Sequence, residues 1–374
     1  MHRLQREDDC MIKDEIRNKK ENIFQEDIRN VAKADFIPWD MLAGKTLFIT
    51  GATGLIGATV INALNYANKV KQLNLKVLAL VRDQNRAEER FKDILGDGVL
   101  SFAVGSVEQL PYIDIPIDYI IHGASQTASR EFVSHPVETL ETTLSGTMNL
   151  LKFAKKKKVS GFVYLSSMEV YGYPEKGHKV KEHEIGSFSP LNMRNCYPIG
   201  KIASENLCCS YASEYALPAM SIRLTQTFGA GVNYNDTRVF AYFARCVKEQ
   251  KDIVLKTKGE TERCYLYTTD AATAILAVLL KGKPGFIYNA ADEATYCSIA
   301  EMAEKVAENG GIKVVYDIQD AAANGFPDTL YMDLDTSELK KLGWYPLGGG
   351  YEITEMYSRM IADMSLTAKI FYLE

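Results

Sequence analysis

Beyond Lys45 the apolar positions fall in short unbroken runs: TLFIT (46–50), KVLALV (76–81), VLSFAV (99–104), DYIIHGA (118–124), GFVYLSS (161–167) and PAMSIRL (218–224). Runs of this length and β-branched content predict strands covered on both faces, as in a parallel sheet. Between them, 57–68, 135–157 and 197–215 carry apolar residues at helical spacing, and Pro136 after His135 suits a first helical turn. Strand and helix in alternation predict βαβ units, hence an α/β fold with a doubly wound parallel sheet. After Phe228 the alternation breaks down. Helical stretches at 238–250, 269–281 and 298–309 mix there with short strands at 252–256, 285–290 and 312–317. Late aromatics such as Tyr316 and Tyr331 read as core.

The organisation expected is a helical N-terminal arm over 1–43, a first domain over 44–228, and a smaller C-terminal α/β substrate lobe over 229–374, interleaved with the first. The arm is expected to dock on the body or on a second subunit. The charged stretch EKGHKVKEHE reads as a solvated loop over the sheet edge, with a lid as the alternative.

Composition narrows the function classes. A net charge of −5 over 374 residues gives no electrostatic case for nucleic acid. The 7 cysteines form no C-x-x-C pair, so neither a disulfide framework nor a zinc site is indicated, and no metal is expected. The N-terminus is charged without the apolar core of a signal peptide, and no apolar run approaches the roughly 20 residues of a membrane span. The expectation is a cytoplasmic protein, away from membranes, and a homodimer.

The first apolar run leads directly into Gly51-Ala52-Thr53-Gly54-Leu55-Ile56-Gly57. Glycines at this spacing, between a strand and a helix in the first βα turn, let the backbone approach a pyrophosphate at a helix N-terminus. That predicts a Rossmann-type site for NAD or NADP. At the end of the second run, Asp83 suits a ribose hydroxyl and Arg82 a 2′-phosphate, so the choice of cofactor stays open.

Tyr197 and Lys201 stand four apart and share a face if helical. A phenol is a poor base near neutrality, but a nearby ammonium and a positive nicotinamide would lower its pKa and allow proton exchange with a sugar hydroxyl or ketone. Ser166 and Ser167 end the fifth run, at the sheet edge where ligands bind in open α/β sheets. His122, at the end of the fourth run, reads as packed beside the cofactor rather than catalytic.

Over roughly 45–345 these residues, with HGAS (122–125), SGTMNLL (145–151), SSMEVYG (166–172), YPIGK (197–201), the Arg223 strand and ERCYLYTTD (262–270), resemble the extended short-chain dehydrogenase/reductases, the nucleotide-sugar epimerases, dehydratases and decarboxylases. The resemblance implies that Tyr197 is the acid/base, Lys201 bonds the nicotinamide ribose, Ser167 bonds the substrate oxygen and Arg263 grips the sugar's diphosphate. It also implies a cofactor against Gly51, Thr53, Gly54, Leu55, Ile56, Gly57, Arg82, Asp83, Ser106, Val107, Ala124, Ser125, Tyr197 and Lys201. The nucleotide sugar is then expected against Gln126, Ser167, Gln226, Arg238 and Arg263. The chain departs from the family pattern at Ser106, Thr143 and Gln226, where the pattern has Asp, Asn and Asn, and at Phe228-Gly229-Ala230 in place of Tyr-Gly-Pro.

Ser167-Met168-Glu169 resembles the Thr-Asp-Glu of sugar-nucleotide 4,6-dehydratases, with Glu169 at the position of the base. Met168 cannot supply the acid. Cys196-Tyr197-Pro198-Ile199-Gly200-Lys201 and Asp236-Thr237-Arg238-Val239 look like the UDP-glucuronate decarboxylases, but no arginine precedes Leu342-Gly343-Trp344 within 330–344. The expected order is decarboxylase- or dehydratase-like chemistry through a keto-sugar, then an NAD(P)H-dependent reductase of a nucleotide-linked ketose, then a 4-epimerase. A role in surface-polysaccharide assembly is a family-level expectation. A cofactor-sensing scaffold without catalysis is the non-enzymatic alternative; retention of Tyr197, Lys201, Ser167 and Arg263 argues against it.

Overall fold

The computed structural model describes residues 22–127, 129–319 and 328–364. The first 21 residues of the expected arm lie outside that part. Fourteen strands are described. They are β1 (Thr46–Thr50), β2 (Lys76–Val81), β3 (Leu100–Val104), β4 (Tyr119–His122), β5 (Gly161–Ser167), β6 (Lys179–Val180) and β7 (Ala219–Leu224). Then come β8 (Gln226–Phe228), β9 (Ile253–Leu255), β10 (Glu262–Tyr267), β11 (Ile287–Ala290), β12 (Asp292–Ser298), β13 (Val314–Tyr316) and β14 (Tyr331–Leu334). The helices are α1 (Ile23–Lys33), α2 (Leu55–Lys71), α3 (Gln84–Arg90), α4 (Ser129–Ser134), α5 (Pro136–Lys157) and α6 (Cys196–Tyr215). They continue as α7 (Val239–Glu249), α8 (Thr268–Lys281), α9 (Ile299–Gly310), α10 (Ser337–Lys341) and α11 (Ile353–Asp363).

Seven strands form one parallel sheet in the order β11-β7-β5-β4-β1-β2-β3. Its two faces bury separate clusters: α2 and α8 cover one, α5 and α6 the other. Double coverage explains why these strands are apolar at nearly every position. Helix α8 is buried from Thr268 to Leu280, so it carries no polar stripe to mark its outer face. The strand order reverses between β1 and β4, which opens the crevice where α/β sheets of this kind take ligands.

Both α8 and β11 lie after 229 in the chain yet belong to the layers of this first sheet. A second sheet, in the order β12-β10-β14-β6 with β8 beside β10, lies next to an aromatic core in which Phe228 and Phe240 stack at 4.9 Å. Strands β8, β10 and β12 were not legible as separate elements in the apolar pattern, because β8 is short and β10 and β12 carry polar residues such as Glu262, Arg263, Asp292 and Glu293 among their apolar ones.

Two expectations are corrected here, and one open alternative is decided. Helix α1 docks on the body: Asp27 is buried, accepts the Tyr267 hydroxyl at 2.6 Å and receives the Arg359 guanidinium. The charged stretch 175–184 is not a free loop. Its β6 pairs with β14, Arg223 donates to the carbonyls of Glu182 and Glu184, and Lys176 bonds Glu262. Tyr316 is exposed rather than core, and Tyr331 is half-buried beneath Lys176. No helix among the described residues is long and apolar enough to cross a membrane.

Candidate active site

The glycine loop joins β1 to α2 at the edge where the strand order reverses. Gly51 has φ 70°, and a Cβ there would lie 2.5 Å from the Gly123 carbonyl carbon; one at Gly57 would lie 2.3 Å from the Gly51 oxygen. Both must therefore be glycine for the loop to close on β4 and on itself. Gly54 is different. It is exposed, caps α2 without any side chain, and a Cβ there meets only the Gly51 oxygen at 3.3 Å. The first turn of α2, with Leu55, Ile56 and Gly57, holds no acidic residue, so its free N–H groups and positive dipole end face outward unopposed. A cradle of bare backbone at a helix N-terminus fits a dinucleotide pyrophosphate. Thr53 lies half-buried in the loop, and the Ala124 N–H is held by the Thr50 hydroxyl at 3.1 Å, which fixes the Ala124–Ser125 turn alongside.

At the far end of the crevice, Arg82 is exposed. Asp83 accepts the Arg86 N–H at 3.0 Å as the cap of α3. Ser106 accepts the Gln109 N–H and Val107 is buried, while the Glu108 carboxyl, bonded by Thr142, sits below its usual range despite burial, through that hydroxyl and then through Ser106 and Arg82. His122 bonds Thr50 and Thr147 through its two ring nitrogens. Burial, reinforced by the charge of Lys201, pushes it down to about 3, so it is a neutral packed histidine, as its place in the sequence suggested.

Tyr197 and Lys201 stand one turn apart on α6, which begins at Cys196. Both are buried, and Lys201 donates to the Leu165 carbonyl of β5 at 2.7 Å. Burial lowers Lys201 to about 7. The same burial raises the Tyr197 phenol above its ordinary value; the charge of Glu169 adds to this, while Ser167, Arg194 and Arg238 pull it down. The phenol thus holds its proton tightly in the free protein, and a positive charge arriving beside it would ease the loss of that proton.

Ser167 ends β5 and accepts the Glu169 N–H at 3.2 Å, starting a single 3₁₀ turn, Met168–Tyr171, that turns Glu169 toward Tyr197. Met168 is buried against Thr225, so its side chain belongs to the core. Two participants escaped the sequence reading. Arg194, three residues before Tyr197, places Nη1 2.8 Å from Glu169 Oε2. Phe132, on the short α4, stacks on the Tyr197 ring at 4.3 Å and 9°. The signal for Arg194 was a cation one turn before a Tyr-x-x-x-Lys; for Phe132 the sequence holds none.

On the second sheet, parallel pairing of β8 with β10 brings Gln226 to Arg263, whose Nη1 donates to Gln226 Oε1 at 3.0 Å. The Arg263 Nε is buried without a partner, so this guanidinium keeps unused bonding capacity. Arg238, at the cap of α7, is clasped by Asp236 at 3.0 Å. Gln126 is exposed beside the Ser125 turn.

Residues 47–291 match the model of a family described as the NAD dependent epimerase/dehydratase family. Over 318 residues the chain is 28% identical to a trifunctional UDP-glucose 4,6-dehydratase/UDP-4-keto-6-deoxy-D-glucose 3,5-epimerase/UDP-4-keto-L-rhamnose-reductase of Arabidopsis thaliana, across 80% of this chain and 45% of that protein. It therefore spans less than half the length of that relative. To UDP-glucuronic acid decarboxylase 1 of Xenopus tropicalis it is 25% identical over 306 residues, 81% of this chain and 69% of that one. The dTDP-glucose 4,6-dehydratase of Bacillus anthracis, solved in complex with NAD, superposes with a TM-score of 0.69 at 18% identity, covering 85% and 96% of the two chains. That likeness concerns the fold.

Proposed function

The chain belongs to the NAD dependent epimerase/dehydratase family, and on that premise we propose that it modifies the sugar of a nucleotide sugar through a keto intermediate, by chemistry of the decarboxylase or dehydratase type. The observation that carries this reading is Glu169, held on its own 3₁₀ turn beside Ser167 and Tyr197. A simple reductase has no task for that carboxylate.

When bound, an oxidised nicotinamide supplies a hydride acceptor and a positive charge. Gly54 and the first turn of α2 would hold its pyrophosphate, and Lys201 would bond its ribose. Tyr197 takes the sugar hydroxyl proton as the carbon bearing it is oxidised, with Ser167 bonded to the same oxygen. Glu169 then accepts a proton from the sugar or supports loss of a group from it. With Met168 packed away, no side chain at that position donates to a leaving hydroxyl. That favours a reaction in which the departing group needs no proton, such as loss of carbon dioxide from a keto acid. Arg263 and Gln226 receive the diphosphate, which a guanidinium fork matches.

Arg82 supports the second reading, a reductase with a dissociable NADPH: it is exposed at the end of β2, while Asp83 is occupied in capping α3. We also place the protein in the cytoplasm, as a homodimer. An open groove lined by Ile199, Ile202 and Ala203 of α6 supports the pairing of two copies, and sedimentation equilibrium tests it.

The main test is Glu169→Gln, followed by stopped-flow absorbance of the reduced nicotinamide with UDP-glucuronate, UDP-glucose and dTDP-glucose. The expected variant reduces its cofactor, accumulates a keto-sugar and fails to turn over. Full turnover by Glu169→Gln overturns the decarboxylase- or dehydratase-type reading.

A further inference from the structure

An ion pair that reaches into this site joins Glu169 to a residue with no assigned part in it. Arg194 lies on the turn Met193–Asn195, whose start is capped by the Asn192 side chain bonding the Arg194 N–H at 3.1 Å. That turn runs directly into α6, so the position of Arg194 is tied to that of Tyr197. Its guanidinium carbon stands 5.6 Å from the Phe132 ring centroid, and Phe132 in turn lies flat on Tyr197 at 4.3 Å. The guanidinium is thus set from two sides, by Glu169 and by the Phe132 ring. The pair is neither fully exposed nor sealed: the side chains of Arg194 and Glu169 keep 36% and 28% of their accessibility.

An exposed arginine–glutamate pair on a surface is worth little and carries no argument. This one differs in its setting. Glu169 sits on a single turn with several side-chain torsions of its own, and a reacting carboxylate must be aimed within a fraction of an ångström. A planar guanidinium bonded to one oxygen holds that carboxylate while leaving its other oxygen open. The same pair also presents opposite charges to Tyr197.

We propose that Arg194 is a positioning residue for the chemistry of Glu169, holding its carboxylate toward the sugar and compensating its charge beside Tyr197. This rests on the reading of Glu169 given above. The charged and polar groups acting on Tyr197 come from Ser167 on β5, Glu169 on the 3₁₀ turn, Arg194 ahead of α6 and Arg238 at the cap of α7, with Lys201 one turn along α6 itself. Burial and Glu169 raise the proton affinity of the phenol, whereas Ser167, Arg194 and Arg238 lower it. Removing the two partners of the pair must then shift Tyr197 in opposite directions.

The experiment uses the full chain loaded with cofactor, in four forms: parent, Arg194→Met, Glu169→Gln and the double variant. Turnover, reduced-nicotinamide absorbance and the pH midpoint of the hydride step are read with the best of the three sugar nucleotides. Arg194→Met is expected to lower kcat about a hundredfold with KM near the parent value, and to accumulate reduced cofactor. Its hydride-step midpoint should move to higher pH, and that of Glu169→Gln to lower pH. The double variant should be no slower than Glu169→Gln alone, and Arg194→Lys should recover part of the loss. Additive losses, midpoints moving the same way, or parental kcat in Arg194→Met would each overturn the proposal. If Arg194→Met does not fold by thermal melting, Arg194→Lys and Arg194→Gln replace it on the same criteria. Full turnover by Glu169→Gln removes the reading of Glu169 itself, and this inference with it. Glu169→Gln slow, with the Arg194 loss additive to it in the double variant, removes the inference alone.

Discussion

Replacing Arg223 by Met tests how the segment over the site is held. Arg223 is 1% exposed at the end of β7, and its partner Glu205 on α6 is 2% exposed. The two are joined by parallel bonds, Nε to Oε1 at 2.9 Å and Nη2 to Oε2 at 2.7 Å. A third nitrogen, Nη1, donates to the Glu182 carbonyl at 2.9 Å and the Glu184 carbonyl at 3.3 Å. The Tyr171 ring lies 4.7 Å from the guanidinium, so the same side chain steadies the end of the turn that carries Glu169. Removing one member of a buried pair leaves the other charged and dry, which costs about 3–5 kcal/mol. Loss of the Nη1 bonds to two carbonyls adds about 1–3 kcal/mol where water does not replace it. Arg223→Met should therefore lower the urea midpoint by an amount equivalent to about 4–8 kcal/mol at an unchanged m-value. In Arg223→Met/Glu205→Met the charge term disappears and only the carbonyl term remains, so the double variant should be more stable than the single one. Limited proteolysis should cut within 173–186 in both variants, because both lose the Nη1 bonds. A single variant within about 1 kcal/mol of the parent, or a double variant no better than the single, would refute this account of the pair.

Other outcomes follow from the cofactor crevice and from one buried acid. Gly54→Asp should keep the melting temperature of the parent in the absence of ligand and lose most NAD(P) affinity by titration calorimetry, since only the cradle is altered; unchanged affinity would move the site elsewhere. Arg82→Ala should weaken NADP binding far more than NAD binding; an equal loss would return the choice to Asp83. Asp270 is fully buried, its Oδ1 accepts the Leu347 N–H at 2.8 Å, and its Oδ2 has no partner. Burial raises it from 3.8 to about 8. The folded state then keeps a proton that the unfolded state releases above its own pKa, so its stabilising contribution is complete in acid and is lost as pH rises toward 8. Asp270→Asn should remove that slope, giving a stability difference from the parent that changes steadily between pH 5 and pH 8; parallel curves would show that Asp270 ionises normally.

Much of the frame is local chemistry, and the chain states it openly. The strands β1, β2, β4, β5 and β7 appear as apolar runs because both faces of the sheet are covered there, and each residue reports that cover independently of its partners; β3, at the sheet edge, is only partly covered. The glycine loop is equally legible: left-handed backbone at Gly51 and close approach at Gly57 leave no other residue possible. Tyr197, Lys201 and Ser167 could be picked out because their spacing and their place at strand and helix ends are one-dimensional facts. What stayed hidden depends on distance in space. Nothing in the order of residues says that Arg194 meets Glu169, 25 positions earlier, or that Phe132 lies flat on Tyr197. Asp27 finds Arg359 across 332 positions, so the sequence left open whether the arm docks on the body or on a second subunit. The stretch 175–184 read as a loose charged loop because its charge is visible in the sequence, while the buried Arg223 that pins its backbone is not marked as its partner. Residue type and period set the layers and the chemical inventory, since they act through each residue's own backbone and solvent preference. Pairing between charges, and the aim of each side chain, is set only when packing brings distant segments within the few ångströms over which hydrogen bonds act.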